Sequence, residues 1–480
     1  MSTIKKPLAA GLLATLTALA ALTLAGCSLA PVYQPPPIDM PAAYREGSPS
    51  TVAVTPDWWH AYGDPQLDAL VGRVDVTNQT LRRAVALLHD ARAQAAAAHA
   101  AYFPTVGAGA AATNFHTSAN VVGKSLAGKT TQDYLLGLAA SWEPDLFGRI
   151  GNSVDAAQAR VQASADDVAA VRLSLQAEVA VDYFGIRSLD RETGLVQRTV
   201  DAYASVLQLV TNRYRGGIAA EGDVAQAQAQ LDSTRAQLAD LRLSRAQLLH
   251  ALATLVGEPA STFALPPAVD SEAARLPAPP AAVPSELLER RPDIAAAERR
   301  VAAANAQIGV ARAAFFPSLM LNLTGGLESS GIADLLTAPS RFWAIGPALA
   351  ATIFDGGKRQ AGVDSAHAQF DASAADYREV VLKAVQDVED NYAAIHGLQD
   401  EAASQQSAVA ASQHALDHAT ERYRKGAVGY LDVNVIEATT LANARALEAV
   451  HRRQLAASVG LFRALGGGWK ADAATQAAPT

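Results

Sequence analysis

The sequence predicts an α+β membrane protein in which each chain supplies four strands to a shared β-barrel wall and long helices to a coiled-coil tube continuous with it. Three observations carry this: two proline-free stretches of more than a hundred residues, short alternating segments edged by aromatics, and residue pairs that recur at a nearly constant offset.

The 480 residues are half hydrophobic and carry a formal charge of −8. Large cores are affordable, and no basic excess exists to hold nucleic acid. Lys5 and Lys6 precede an uncharged apolar run, Leu8 to Ala25, the layout of a signal peptide over residues 1–26. The run is also about long enough to span a bilayer, so an uncleaved anchor is the alternative. "LAGC", Leu24 to Cys27, favours cleavage because it resembles the bacterial lipobox, whose Cys becomes the acylated mature N-terminus. Cys27 is the sole cysteine and has no disulfide partner in the chain. A diacylglycerol and an N-acyl chain such as palmitate on Cys27 are therefore expected, with no other cofactor. Ser28, not an acidic residue, follows, which points to the outer membrane.

Prolines cluster within 31–65 and 259–292 and are absent between Pro144 and Pro259 and between Pro347 and Pro479. Since an interior proline costs about 3 kcal/mol, the empty stretches read as long helices, one pair in each. Val196, Val200, Tyr203, Leu207, Val210 and Tyr214 alternate spacings of four and three, the heptad seam of lengthwise packing. A four-helix bundle would show the same seam. A helix from Ile150 to Arg213 would however be roughly 95 Å long, beyond a compact domain, and alanines between the seam residues suit close side-by-side packing around a ring.

Phe103-Pro104 recurs as Phe316-Pro317, Arg213-Tyr214 as Arg422-Tyr423, Asp223 as Asp432 and Gly257 as Gly466. Two repeats follow. After a lipidated proline-rich segment, 27–65, repeat 1 covers 66–284 with a strand pair at 104–143, a helical hairpin at 145–256 and a proline-rich linker. Repeat 2 covers 285–468 with a strand pair at 317–354 and a hairpin at 356–466, and a flexible tail takes 469–480.

In "SLMLNLTGG", Leu319, Leu321 and Leu323 alternate with Met320, Asn322 and Thr324. In "DYLLGLAASW", Tyr134, Leu136, Leu138 and Trp142 share a face. Segments of about ten residues with one apolar face and aromatic ends fit an outer-membrane barrel wall; a soluble hairpin is the alternative. Four strands cannot close a barrel, which needs at least about eight, so two or three chains must pool theirs.

Two motifs of enzymes were weighed. Gly123, Gly128, Lys129 and Thr130 match the phosphate-cradling pattern G-x-x-x-x-G-K-[ST], yet no βαβ unit surrounds them, and an exposed hairpin loop has the same composition. His414, His418 and Glu421 fall on one helical face and read as a solvated surface, not a metal site. No enzyme activity is expected.

"GCSLAPVYQPP", "DWWHAYGDPQLDALV", "LERRPDIAAAERRVAAANAQIGVARAAFFPSL", "IFDGGKR" and "RYRKGAVGYLDV" resemble the outer membrane factor, or TolC-like, channels, in the lipoprotein branch of multidrug efflux. The resemblance implies a homotrimer with a twelve-stranded barrel in the outer membrane and a helical tunnel in the periplasm. It further implies passive export of drugs and toxic compounds delivered by an inner-membrane efflux pump through a periplasmic adaptor (membrane fusion) protein, with no catalytic residue.

The implied gate lies at the helix turns "RYRGGIAAEGD", Arg213 to Asp223, and "RYRKGAVGYLD", Arg422 to Asp432. Locally, Gly216, Gly217 and Gly426 serve as left-handed helix caps, Asp223 and Asp432 start the next helices, and Arg213 and Arg422 beside Tyr214 and Tyr423 suit the helix dipole. By motif position, Tyr423 and Asp223 form one closing contact and Asp432 a carboxylate ring. The motif departs from a better-known relative at Val428, which replaces a basic residue, and at Val435, which replaces an acidic one. The rival readings are a lipid-anchored periplasmic helical scaffold without a pore, and an anchored nucleotide-binding enzyme.

Overall fold

The computed structural model describes residues 28–47, 53–123, 125–269, 273–280 and 283–471. The signal segment, Cys27 and most of the expected tail lie outside them. The described chain divides into two compact units: one from residues up to 36 with 88–163 and 297–377, the other from 37–87, 164–296 and 378 onward.

The elements in chain order are helices α1 (Pro65–Thr77) and α2 (Gln79–Ala100), strands β1 (Thr105–His116) and β2 (Thr130–Trp142), helices α3 (Arg149–Arg215), α4 (Glu221–Leu255) and α5 (Pro292–Ala313), strands β3 (Ser318–Ser329) and β4 (Arg341–Ala350), and helices α6 (Lys358–Arg424) and α7 (Tyr430–Ala464). Helices α3 and α6 each have 67 residues, and α4 and α7 each have 35. No proline interrupts any of the four.

In the first unit the strands form one antiparallel sheet in the order β1-β2-β3-β4. Side chains directly opposite each other share a face, so the register Leu136↔Leu327, Leu138↔Gly325, Leu323↔Ile345 and Leu321↔Pro347 assembles a single apolar surface. Tyr134 and Trp142 lie at its two ends on β2, and Val106, Ala108, Ala110 and Ala112 extend it over β1. The opposite face collects Thr105, Thr113, Asp133, Ser141, Asn322, Thr324 and Glu328. Strand β1, built of glycine and alanine between its ends, has little alternation in polarity; its face is set by its pairing with β2.

The loop between β1 and β2 carries the phosphate-like pattern. Gly128 N–H donates to the Thr117 carbonyl (2.9 Å) and Thr117 N–H to the Lys129 carbonyl (3.0 Å), while Thr130 already belongs to β2. A hairpin turn therefore occupies the place where a phosphate site needs a helix.

In the second unit α1 begins at Asp64, whose carboxylate accepts from the N–H groups of Gln66 and Leu67 (2.9 and 3.3 Å), with Pro65 as first helical residue. Leu67, Leu70, Val71 and Val74, at helical spacing, are buried with Trp58, Tyr62, Tyr183, Phe184 and Phe462. A second core runs along α3 through Val196, Val200 and Tyr203 against Leu231, Leu238 and Leu241 of α4. The heptad seam of α3 ends at Val210; Tyr214, expected in it, is exposed because it stands in the last turn of the helix.

Between these cores lies a buried ionic centre. The Asp190 side chain is 1% exposed and accepts from Arg187 (3.1 Å), from Arg245 of α4, and from the Ala268 N–H (3.1 Å). The same arginines donate to the carbonyls of Pro266 and Leu265 (each 2.8 Å), which fixes the linker after α4. Replacing Asp190 with Ala leaves two guanidinium groups without their counter-charge, a loss of about 3–5 kcal/mol. Thermal unfolding in detergent, followed by far-ultraviolet circular dichroism, is expected to show a clear drop in Tm for Asp190→Ala and a smaller one for Asp190→Asn; an unchanged Tm would contradict this account.

Candidate functional site: the tips of the helical hairpins

Both turn motifs lie in the second unit. At the first, Ile218 N–H donates to the Arg213 carbonyl (2.8 Å) and Gly217 N–H to the Tyr214 carbonyl (2.9 Å); at the second, Ala427 N–H donates to Arg422 and Gly426 N–H to Tyr423 (each 2.9 Å). This paired pattern closes a helix when the residue after its end adopts positive φ. Gly217 and Gly426 do so, at 72° and 75°. Gly216 does not: its N–H continues the helical ladder to Asn212 (3.0 Å), so it is no left-handed cap, and Lys425 stands at the matching place in the second turn.

Asp223 and Asp432 are the third residues of α4 and α7, whose N-caps are Ala220 and Gly429. The Asp223 carboxylate reaches back to accept from the Ala220 N–H (3.2 Å), one half of a capping box. It makes no hydrogen bond to Tyr423 among the described residues of the single chain. Asp432 is exposed.

Tyr423 instead builds the core of the tip with Val210, Ala227, Ala419, Tyr430 and Val433. Its ring lies 4.7 Å under the Arg213 guanidinium and 6.1 Å from the ring of Tyr430. Tyr423 is 8% exposed, whereas Tyr214, its counterpart in the first motif, is 44% exposed. Arg213 thus acts as a cation over an aromatic face, worth about 0.5–2 kcal/mol, in addition to suiting the helix end. Arg422 and Arg424 occupy the last turn of α6. Val428, which takes the place of a basic residue, packs against this core, while Val435 is exposed.

Beside the core a groove of about 570 Å³ opens between α3, α6 and α7. Glu437 lines it, and burial pushes its carboxyl up to about 7. Burial, and secondarily the nearby Glu437, also push the Tyr430 phenol well above its ordinary range. Sequence reading passed over Tyr430, Val433 and Glu437, although their spacing of three and four is that of one helical face. His414 and His418 stack edge to face at 4.5 Å, and Glu421 pairs with Arg424 at 2.9 Å.

A model of the outer membrane efflux protein family matches residues 70–258 and 283–467. The chain is 32% identical over 458 residues to the cation efflux system protein CusC of Escherichia coli, covering 94% of this chain and 97% of that one. It is 33% identical over 459 residues to the pyoverdine export outer membrane protein OpmQ of Pseudomonas aeruginosa, covering 94% and 96%. The solved open state of the Neisseria gonorrhoeae MtrE outer membrane channel superposes with a TM-score of 0.81 at 31% identity, covering 93% and 99%.

The cap geometry has a direct test. Gly426→Ala forces an L-residue into positive φ and costs about 1–2 kcal/mol, so amide hydrogen exchange at Gly426 and Ala427 is expected to quicken about tenfold with the middle of α6 unchanged. Equal exchange in both proteins would show that the turn is held otherwise.

Proposed function

The chain belongs to the outer membrane efflux protein family, whose members are channel proteins and not enzymes, and from that premise we propose that three copies pool their strands into a twelve-stranded barrel that passively conducts small molecules out of the cell. An inner-membrane pump supplies the energy and a periplasmic adaptor joins it to the duct. The observation that carries this reading is the four-stranded meander with one apolar face, one polar face and two unpaired outer edges. In hydrocarbon every backbone group needs a partner, and further copies of the same chain offer edges of similar length, twelve residues of β1 against ten of β4. The cargo does not follow from likeness: the relatives named above export a cation and pyoverdine at nearly the same identity.

Lipidation of Cys27 belongs to the same reading and is supported by the segment that follows it. Ser28 Oγ donates to Asn152 Oδ1 (2.9 Å), Arg312 to the Leu29 carbonyl (3.4 Å), Asn305 Nδ2 to the Pro31 carbonyl (2.8 Å), and the Tyr33 hydroxyl to Glu298. Residues 28–33 therefore run along α5, with Ser28 at the end of that helix nearest β3. A Cβ at Gly309 would meet Asn152 Nδ2 at 2.5 Å and the Ala30 Cβ at 2.8 Å, so glycine permits the close approach. A lipid anchor on the residue before Ser28 is compatible with this path, because the described segment starts at the end of α5 that leads into β3.

Closure is assigned to the two turns, with three copies of Asp432 as the carboxylate ring and the Tyr423 hydroxyl and Asp223 meeting across neighbouring chains. The equal lengths of α3 and α6 and of α4 and α7 support the internal duplication. Native mass spectrometry of protein extracted from the outer-membrane fraction is expected to give a trimer of chains that begin at triacylated Cys27; a monomer would remove the pooled barrel. In planar bilayers Asp223→Ala and Tyr423→Phe are each expected to raise single-channel conductance. Tyr423→Phe keeps the ring under Arg213 and deletes only the hydroxyl, so unchanged conductance in both variants would discard the closing contact.

A further inference from the structure

We infer that the groove between α3, α6 and α7 is a binding site for an amphipathic organic cation, held by the Glu437 carboxylate, the Tyr430 hydroxyl and apolar walls. The inference goes beyond conduction and needs no closed barrel. The groove's volume of about 570 Å³ falls within the range of small-molecule sites. Val206, Leu209, Leu416 and Val433 supply its apolar lining, and the rings of Tyr423 and Tyr430 its aromatic lining.

Two polar features point to a ligand. Tyr430 is 6% exposed, and its hydroxyl is buried with no hydrogen-bond partner among the described residues. A buried hydroxyl is normally paired, and one that lines a groove unpaired is satisfied when a donor enters. Glu437 stands seven residues further along α7, on the same face, and among the described residues no cationic side chain forms an ion pair with it; burial accounts for its raised carboxyl. The one arginine of the groove, Arg424, is already paired with Glu421, and Asp417 adds a further negative charge. The titratable groups that line the groove or interact with Glu437 are Tyr203 on α3, Asp417, Glu421, Tyr423 and Arg424 on α6, and Tyr430 on α7, with Arg213 of α3 held over the ring of Tyr423.

The chemistry therefore lacks one component, a positive charge on an apolar body with an N–H donor. Tyr423 already accepts a guanidinium on its ring, and a carboxylate with aromatic rings is the usual recognition set for organic ammonium groups. Anions and neutral hydrocarbons leave Glu437 or Tyr430 uncompensated.

Ethidium is a suitable probe, since it is permanently charged, carries amino donors and brightens on leaving water. Its binding to the full-length protein in detergent is read by fluorescence titration. Affinity is expected to rise as pH passes upward through about 7, because the permanent charge of the dye leaves Glu437 as the group that ionises there. Glu437→Gln is expected to weaken binding about tenfold and to flatten the pH profile, and Tyr430→Phe to weaken it several-fold at every pH. Ser205→Trp fills the groove without altering either group and is expected to block binding. Native affinity and pH profile retained in Glu437→Gln and Ser205→Trp, equal competition by uncharged phenanthridine, or no binding because a neighbouring copy fills the groove would each overturn the site.

Discussion

The two outer strands of the sheet, β1 and β4, each present a row of backbone N–H and C=O groups with no strand partner among the described residues. Strand β1 runs for twelve residues and β4 for ten, and the outward-directed half of their backbone groups is open in this way, a template for pairing with a further strand. In the proposed assembly, strands from further copies take them. The pairing of β2 with β3 makes this economical, because it joins two hairpins from distant parts of the sequence into one continuous block. A chain with two separate hairpins would present four open edges instead of two. In the proposed assembly the apolar face that suits lipid is complete only when these edges meet.

The helical part answers a different backbone problem. Proline-rich connections between long helices have few N–H donors, so their carbonyls must be satisfied from elsewhere. The solution recurs in each unit: Arg245 and Arg187 donate to Leu265 and Pro266, Tyr392 to Pro280, and Asn305 to Pro31. Side chains on rigid helices thus hold segments that form no ladder of their own. Asp190 balances the charge this requires, which explains a fully buried carboxylate in a region without catalytic chemistry.

How much of this could be read in advance depended on whether the signal was local. The absence of proline located α3, α4, α6 and α7, and the alternation of Leu319, Leu321 and Leu323 marked the lipid-suited face of β3, since both follow from the geometry of a single element. Strand β1 is nearly all small residues between its ends, and nothing local separates its faces; the partner strand does. Gly216 and Gly217 are indistinguishable by type, and only the hydrogen-bond ladder selects the second as the cap. The raised Glu437 carboxyl and the Asp190 centre arise from side chains brought together across helices, for which spacing along the chain has no expression.

The unequal tips follow from the same logic. Arg-Tyr occurs at the end of both long helices, with a glycine at the same distance and an aspartate at the same distance after it. The backbone solution is accordingly the same at both turns. What differs is the start of the following helix: Tyr430 and Leu431 where the first turn has Glu221 and Gly222. Tyr430 brings an aromatic ring against Tyr423 and draws it inward, while Tyr214, facing a glutamate and a glycine at the matching positions, stays at the surface. A repeated backbone with divergent side chains yields two tips that are equal in reach but different in adhesion.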